Sequence, residues 1–266
     1  MRKLLSVAVV LSVSACAGPA SNEALRVYAT HRIGRPLNQV IDAFEDESGL
    51  NVNIVPGCVR PVILPLVKRN RDGDVLILGS RTELKLAEEA GVVESVETIA
   101  WNPFVIVVKK GNPLNVQSPE DLKKPGVRLV LPNPGDGCAS RLSDEIVTKC
   151  GLAEQALVAL RKDMKCHTTV GLNLVAEGKV HATFTWRIVA AKAEGIDIVP
   201  IPKEKGAPCE CFAVTLTSAR NAEAAANFVE FLKSDRAQAI FRESGLLDRN
   251  EKAADERLSP APGSAE

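Results

Sequence analysis

Between Leu25 and Ala90, three short apolar runs alternate with three segments of helical periodicity, and few folds accept that order. The runs are Leu25 to Ala29, Asn51 to Val55 and Asp74 to Leu78. In the first intervening segment Leu37, Val40, Ile41 and Phe44 recur at helical spacing. Pro36 suits an early helix position, and Gly49 suits the helix end. Pro61 opens a second helix to about Arg69, and Thr82 to Ala90 forms a third. A β-α-β-α-β-α order predicts parallel strands with helices on both faces of the sheet. Crossovers of this kind are right-handed, and ligands sit beyond the C-terminal strand ends. The loops Thr30–Arg35 and Pro56–Arg60 both leave such ends, so they share one rim.

Two long β-branched runs follow, Phe104 to Lys109 and Cys209 to Thr217. A second α/β unit lies between them. Val127 to Leu131 reads as a strand, Pro132 to Gly137 as a turn, and Cys138 to about Lys149 as a helix. Further helices are expected at Leu152–Leu160, at Val170–Glu177 behind a Thr168 cap, and from Trp186 to about Glu194. Strands are expected at Met164–His167, Val180–Thr185 and Ile196–Ile201. After Thr217 only the amphipathic helices Asn221–Leu232 and Asp235–Glu243 remain. The expected architecture is therefore α/β with two lobes, each a mixed sheet flanked by helices. Lobe one would hold residues 25–103 plus 213–247 and lobe two residues 104–212, joined by two crossover strands. Such a pair encloses a hinged binding cleft. Residues 248–266, polar with Pro and Ala, are expected to be a disordered tail.

The N-terminus carries an address. Arg2 and Lys3 precede the apolar run Leu4–Val13, and Ser14-Ala15-Cys16 supplies small residues at a cleavage point. The run is too short to span a bilayer. Residues 1–15 read as a signal peptide and Val13-Ser14-Ala15-Cys16 as a bacterial lipobox, with Cys16 lipidated. A plain cleaved signal is the alternative, and both place the protein on the periplasmic side. With Cys16 set aside, 7 − 1 = 6 cysteines remain: Cys58, Cys138, Cys150, Cys166, Cys209 and Cys211. In an oxidising compartment such a set commonly forms disulfides, and Cys138–Cys166 and Cys150–Cys166 are pairings within one lobe. Cys209 and Cys211 share a strand face at about 6.5 to 7 Å, near the limit for bridging each other. A formal net charge of zero argues against a nucleic-acid partner.

Several segments resemble the periplasmic molybdate-binding protein family, the substrate-binding component of ABC importers. They are Val27-Tyr28-Ala29 with Ala43 to Gly49, Asp74-Val75-Leu76-Ile77, Val105 to Pro113, Asp121 to Arg128, Leu174 to Thr183 and Ala225 to Gly245. The resemblance spans about Leu25 to Leu247 and implies a type II periplasmic binding fold, an ABC permease as partner, and no catalysis. It also places the family's anion-contacting loops. The first falls on Arg32 beside His31, the second on Gly57-Cys58-Val59, and the third on Cys138-Ala139-Ser140. The fourth falls on Cys166-His167-Thr168, and Trp186 stands where the family has a tyrosine. Thiols and imidazoles replace most of the family's hydroxyls.

Two ligand chemistries stay open. Free N–H groups at the helix start near Cys138, with the dipole behind them, suit a small oxyanion of the molybdate or tungstate class. The thiols of Cys58, Cys138 and Cys166 suit Cu, Zn or arsenite. In either case the metal ion or oxyanion is cargo rather than cofactor. A lipoprotein that senses its ligand for a signalling receptor is a third reading. An enzyme would need a nucleophile and a base in reach. Cys166 and His167 are adjacent, so in a strand they point to opposite faces, and Cys138 with His167 across loops is the pair left open.

Overall fold

The computed structural model describes residues 24–70, 72–132, 138–151, 168–202 and 210–248, without the side chains of Arg32, Cys138 and Thr168. The signal segment with Cys16, Cys166, His167, Cys209, the expected helix at 152–160 and residues 249–266 lie outside them.

The first sheet has the order β2-β1-β3-β9-β4. Its strands are β1 (Leu25–Thr30), β2 (Val52–Gly57), β3 (Val75–Leu78), β4 (Val93–Trp101) and β9 (Glu210–Leu216). Strands β1, β2 and β3 are mutually parallel, and β9 runs antiparallel between β3 and β4. Helix α1 (Gly34–Ser48) ends where Gly49 turns left-handed at φ 70° and bonds back to Glu45. It packs on one face with α7 (Ala222–Phe231) and α8 (Asp235–Glu243), around Phe44, Phe228 and Phe241. The other face carries α2 (Leu64–Asn70) and α3 (Arg81–Glu89) around Leu76, Phe212 and Val214. The alternation of β9 divides its residues between these cores, Cys211 and Ala213 to one and Phe212 and Val214 to the other.

The second sheet has the order β6-β7-β5-β8. Its strands are β5 (Phe104–Lys109), β6 (Leu129–Val130), β7 (Ala182–Trp186) and β8 (Ile196–Pro200). Helix α4 (Cys138–Lys149) covers one face through Leu142, Ile146 and Val147. Helices α5 (Thr168–Ala176) and α6 (Arg187–Ala190) cover the other through Leu172, Val175 and Ala190.

Strand β4 departs from the sequence reading, which placed no strand at 93–101. Glu94, Ser95 and Val96 are exposed, and register shifts fall between Val93 and Ser95 and between Thr98 and Ala100. An edge strand with bulges loses the period-two signal. The segment after Pro61 also differs: a π turn (Val59–Ile63) precedes α2. Helix α6 stops at Ala190, four residues short of Glu194. Asp248 is buried and receives the guanidinium of Arg242, so the packed chain extends through it.

Topology sets how the sheets face each other. Strand β4 leaves the first sheet at Trp101, which pairs with Glu210, the first residue of β9. Both lie at the end where β1, β2 and β3 finish. In the second sheet Phe104 begins β5 opposite Trp186, the last residue of β7, and Val105 pairs with Pro200 at the end of β8. Strand β6 is parallel to β7 and finishes at the same end. Each connection between sheets thus joins one set of strand C-termini to the other.

Candidate functional site

The first rim is built by three strand ends. Thr30 and Gly57 are register partners, so His31 and Cys58 each stand one step beyond the last pair. Adjacent strands are about 4.8 Å apart, and both side chains are exposed. His31 opens a 3-10 turn (His31–Ile33) whose Ile33 is buried, fixing the turn to the core. Cys58 is a free thiol on an extended residue. Its carbonyl accepts the N–H groups of Val62 and Ile63 at 3.0 and 3.1 Å, which winds the π turn. A Cβ on Gly57 would meet Val62 Cγ1 at 3.0 Å, so glycine permits this close turn.

Strand β3 ends at Gly79-Ser80, and α3 begins at Arg81. Ser80 caps the helix by accepting the Glu83 N–H, and Glu83 Oε2 accepts the Gly79 N–H at 2.8 Å. The Arg81 guanidinium reaches Glu210 through Nε and Nη2 at 2.9 and 2.5 Å. Its carbon lies 5.4 Å from the Phe212 ring centroid. Sequence reading missed both partners. The signal was there: a basic residue in the first helical turn opposes the dipole unless something holds it.

The second rim follows β6 and β7. Leu131 and Pro132 are buried, and α4 then starts at Cys138. Ala139 and Ser140 are both 3% exposed, and Ser143 Oγ donates to the Ala139 carbonyl at 2.8 Å. These two residues pack the helix start into the second lobe. Thr168 opens α5. Trp186 is 7% exposed and packs edge-on against Phe104 at 4.9 Å, inside the second lobe's core.

Of the residues that sequence picks for the site, His31 and Cys58 come together on one rim, and Ala139, Ser140 and Trp186 stand at the other. The backbone places Arg32 beside His31, Cys138 at the head of α4 and Thr168 at the head of α5. Cys166 and His167 lie outside the described residues. Among the described residues, no three His, Cys, Asp or Glu side chains converge as a metal site. Cys150 and Cys211 are buried in separate cores. His181 precedes β7, at the end of the second sheet opposite the rim, where its Nδ1 accepts the Arg128 N–H at 2.8 Å.

A third element crosses between lobes. Arg187 Nη1 donates to the carbonyl of Gly245 at 3.0 Å and reaches that of Leu246 at 3.3 Å. The Ile188 N–H donates to Asn102 Oδ1 at 3.2 Å, and Ile188 packs against cores of both lobes.

Solved structures share this two-lobed arrangement. A substrate-binding domain from Clostridium difficile, named for a molybdenum ABC transporter, superposes with a TM-score of 0.70 at 17% identity, over 84% of this chain and 98% of that one. The Azotobacter vinelandii periplasmic molybdate-binding protein gives 0.61 at 19% identity, over 84% and 98%. Iron-bound HitA from Pseudomonas aeruginosa gives 0.65 at 17%, over 85% and 87%. At these identities the likeness is one of fold. A search of curated proteins finds no match. The family model for bacterial extracellular solute-binding proteins matches residues 25–247, the span of both facing rims, and the chain belongs to that family.

Proposed function

We propose that this chain is the exported, lipid-anchored substrate-binding component of an ABC importer. It captures a small oxyanion of the molybdate or tungstate class between its lobes and delivers it to a membrane permease. The observation that carries this reading is the meeting of two sets of strand C-termini across two connections. His31, Arg60 and Arg81 stand exposed on the first rim, and the start of α4 stands on the second. Guanidinium groups and helix N–H groups hold tetrahedral anions through charge-assisted bonds. A ligand that touches both lobes binds the closed form better and shifts the population toward it. Cys16, at the end of the Val13-Ser14-Ala15-Cys16 lipobox, is the proposed anchor, and the permease is the membrane partner.

A second reading rests on Cys58. An exposed thiol beside an exposed imidazole is a pair of soft donors, and Cys138 and Cys166 would complete a thiolate set for Cu, Zn or arsenite. A thermal-shift panel with molybdate, tungstate, sulfate, arsenite, Cu(I), Zn(II) and Fe(III) separates the two. Tungstate at a hundred times its Kd should add about 2.7 kcal/mol of stability and do so equally in Cys58→Ser. Stabilisation by soft ions alone, lost in Cys58→Ser, would overturn the oxyanion reading. Cys16→Ser should move the protein from the membrane fraction to the soluble one.

A further inference from the structure

The Arg81–Glu210 pair is unevenly built. Arg81 is the first residue of α3, where a positive charge opposes the helix dipole. Its side chain is 69% exposed, whereas that of Glu210 is 16% exposed. Both donated bonds, from Nε and Nη2, go to one carboxylate oxygen, Oε2. A guanidinium has five N–H donors in a rigid plane, so most of its edge faces outward. The Phe212 ring beneath it, 5.4 Å from the guanidinium carbon, attracts the charge without consuming a donor. A pair meant only to tie β9 to α3 would gain by bidentate geometry, one donor to each oxygen.

Position matters as much as geometry. Leu78, the last residue of β3, pairs with Phe212, so Glu210 and Arg81 lie just past the end of β3 on the first rim. Helix α3 neighbours the π turn that follows Cys58. Glu210 faces Trp101 across the ladder where the chain leaves and re-enters the first lobe.

We infer that Arg81 is the anion-recognising side chain of the first lobe and that Glu210 is its resident counter-charge, displaced when an oxyanion binds. A tetrahedral oxyanion offers two oxygens to the guanidinium edge, which the single Glu210 oxygen does not. Release of Glu210 then frees the first residue of β9, so occupancy is coupled to a strand that joins the lobes. This assignment deepens the oxyanion reading and rests on it.

The test is titration of the full-length protein with tungstate, molybdate, sulfate and phosphate at fixed ionic strength, followed by calorimetry. Arg81→Gln should weaken the best-bound oxyanion at least tenfold, and Arg81→Lys should recover part of that loss. Glu210→Gln should bind severalfold more tightly than the parent, because the arginine no longer has an internal competitor. Equal affinities in the parent, Arg81→Gln and Glu210→Gln would overturn the assignment and leave the oxyanion reading standing. A Glu210→Gln loss as large as that of Arg81→Gln, with a lowered melting temperature in both, would mark the pair as a structural tie and also overturn it. Absence of oxyanion binding to the parent would end both readings together.

Discussion

Cys58 and Asp74 show how single side chains divide between readiness to react and structural duty. Cys58 follows the last paired residue of β2 and is exposed, whereas Cys150 and Cys211 are buried in the cores of different lobes. A thiol reagent needs the thiolate and access to it. Brief alkylation of the native protein followed by peptide mapping should therefore label Cys58, and leave Cys150 and Cys211 unlabelled until urea is added. Native labelling of Cys211 at the rate of Cys58 would contradict the burial. Asp74 has the opposite task. Its Oδ2 accepts the Arg26 N–H at 2.8 Å, and its Oδ1 accepts those of Arg220 and Asn221 at 2.8 and 3.4 Å. One carboxylate thus ties β1, the start of β3 and the entry to α7. Asp74→Ala strands these donors and should cost about 3 kcal/mol in urea unfolding. A loss under about 1 kcal/mol would show that water replaces the carboxylate easily.

The same division governs what can be read from sequence at the level of elements. Helices α1 and α3 are legible because their cues are local: Gly49 supplies the left-handed stop, and Ser80 with Glu83 supplies the cap. Strands buried on both faces, such as β3 and β5, declare themselves as continuous apolar runs. Strand β4 does not, because three successive residues, Glu94, Ser95 and Val96, are exposed and its bulges break the alternation. The Arg81–Glu210 contact spans 129 positions, and sequence spacing carries no trace of such a pair. Trp186 shows the converse limit. The family resemblance puts it at a ligand position and its residue type suggests packing, and in β7 its ring lies edge-on against Phe104. His181 links an element to pH. Burial, and then the charge of Arg128, lower its pKa below the ordinary value of 6.5. Its neutral Nδ1 holds the Arg128 N–H at the entry to β6, and protonation removes that acceptor. Below pH 6.5 the unfolded chain takes up a proton that the folded chain refuses. Stability present above 6.5 therefore declines with acid until the lowered folded value is passed. Urea midpoints at pH 7.5 and 5.0 should show this decline in the parent and a shallower one in His181→Gln. An identical decline in the variant would move the effect elsewhere.

At the scale of the whole molecule, the described residues of the two lobes pack into separate cores, as a hinge between them requires. The cores built on the first sheet centre on Phe44, Phe228 and Phe212, and those on the second centre on Phe104, Phe184 and Val107. Cooperative melting of such a chain depends on the groups that touch both halves. Ile188 packs against a core in each lobe, and its N–H is bonded to Asn102 in the first connection. Arg187 beside it reaches the carbonyls of Gly245 and Leu246 at the end of the first lobe. The approach is close: a Cβ on Gly245 would lie 2.4 Å from that of Ala191, and its φ of 90° also disfavours a side chain. Helix α6 thus seats against Gly245 as a contact between lobes additional to the two chain crossings. Truncating Ile188 removes apolar contact from both cores at once, so its effect falls on their coupling as well as on either core. Ile188→Ala should lower stability by about 2 kcal/mol. It should also raise the ratio of calorimetric to van't Hoff enthalpy above the value near one expected of a two-state parent. If the variant melts as a single two-state unit at a lower temperature, the lobes are coupled chiefly through the crossings, and α6 contributes packing alone.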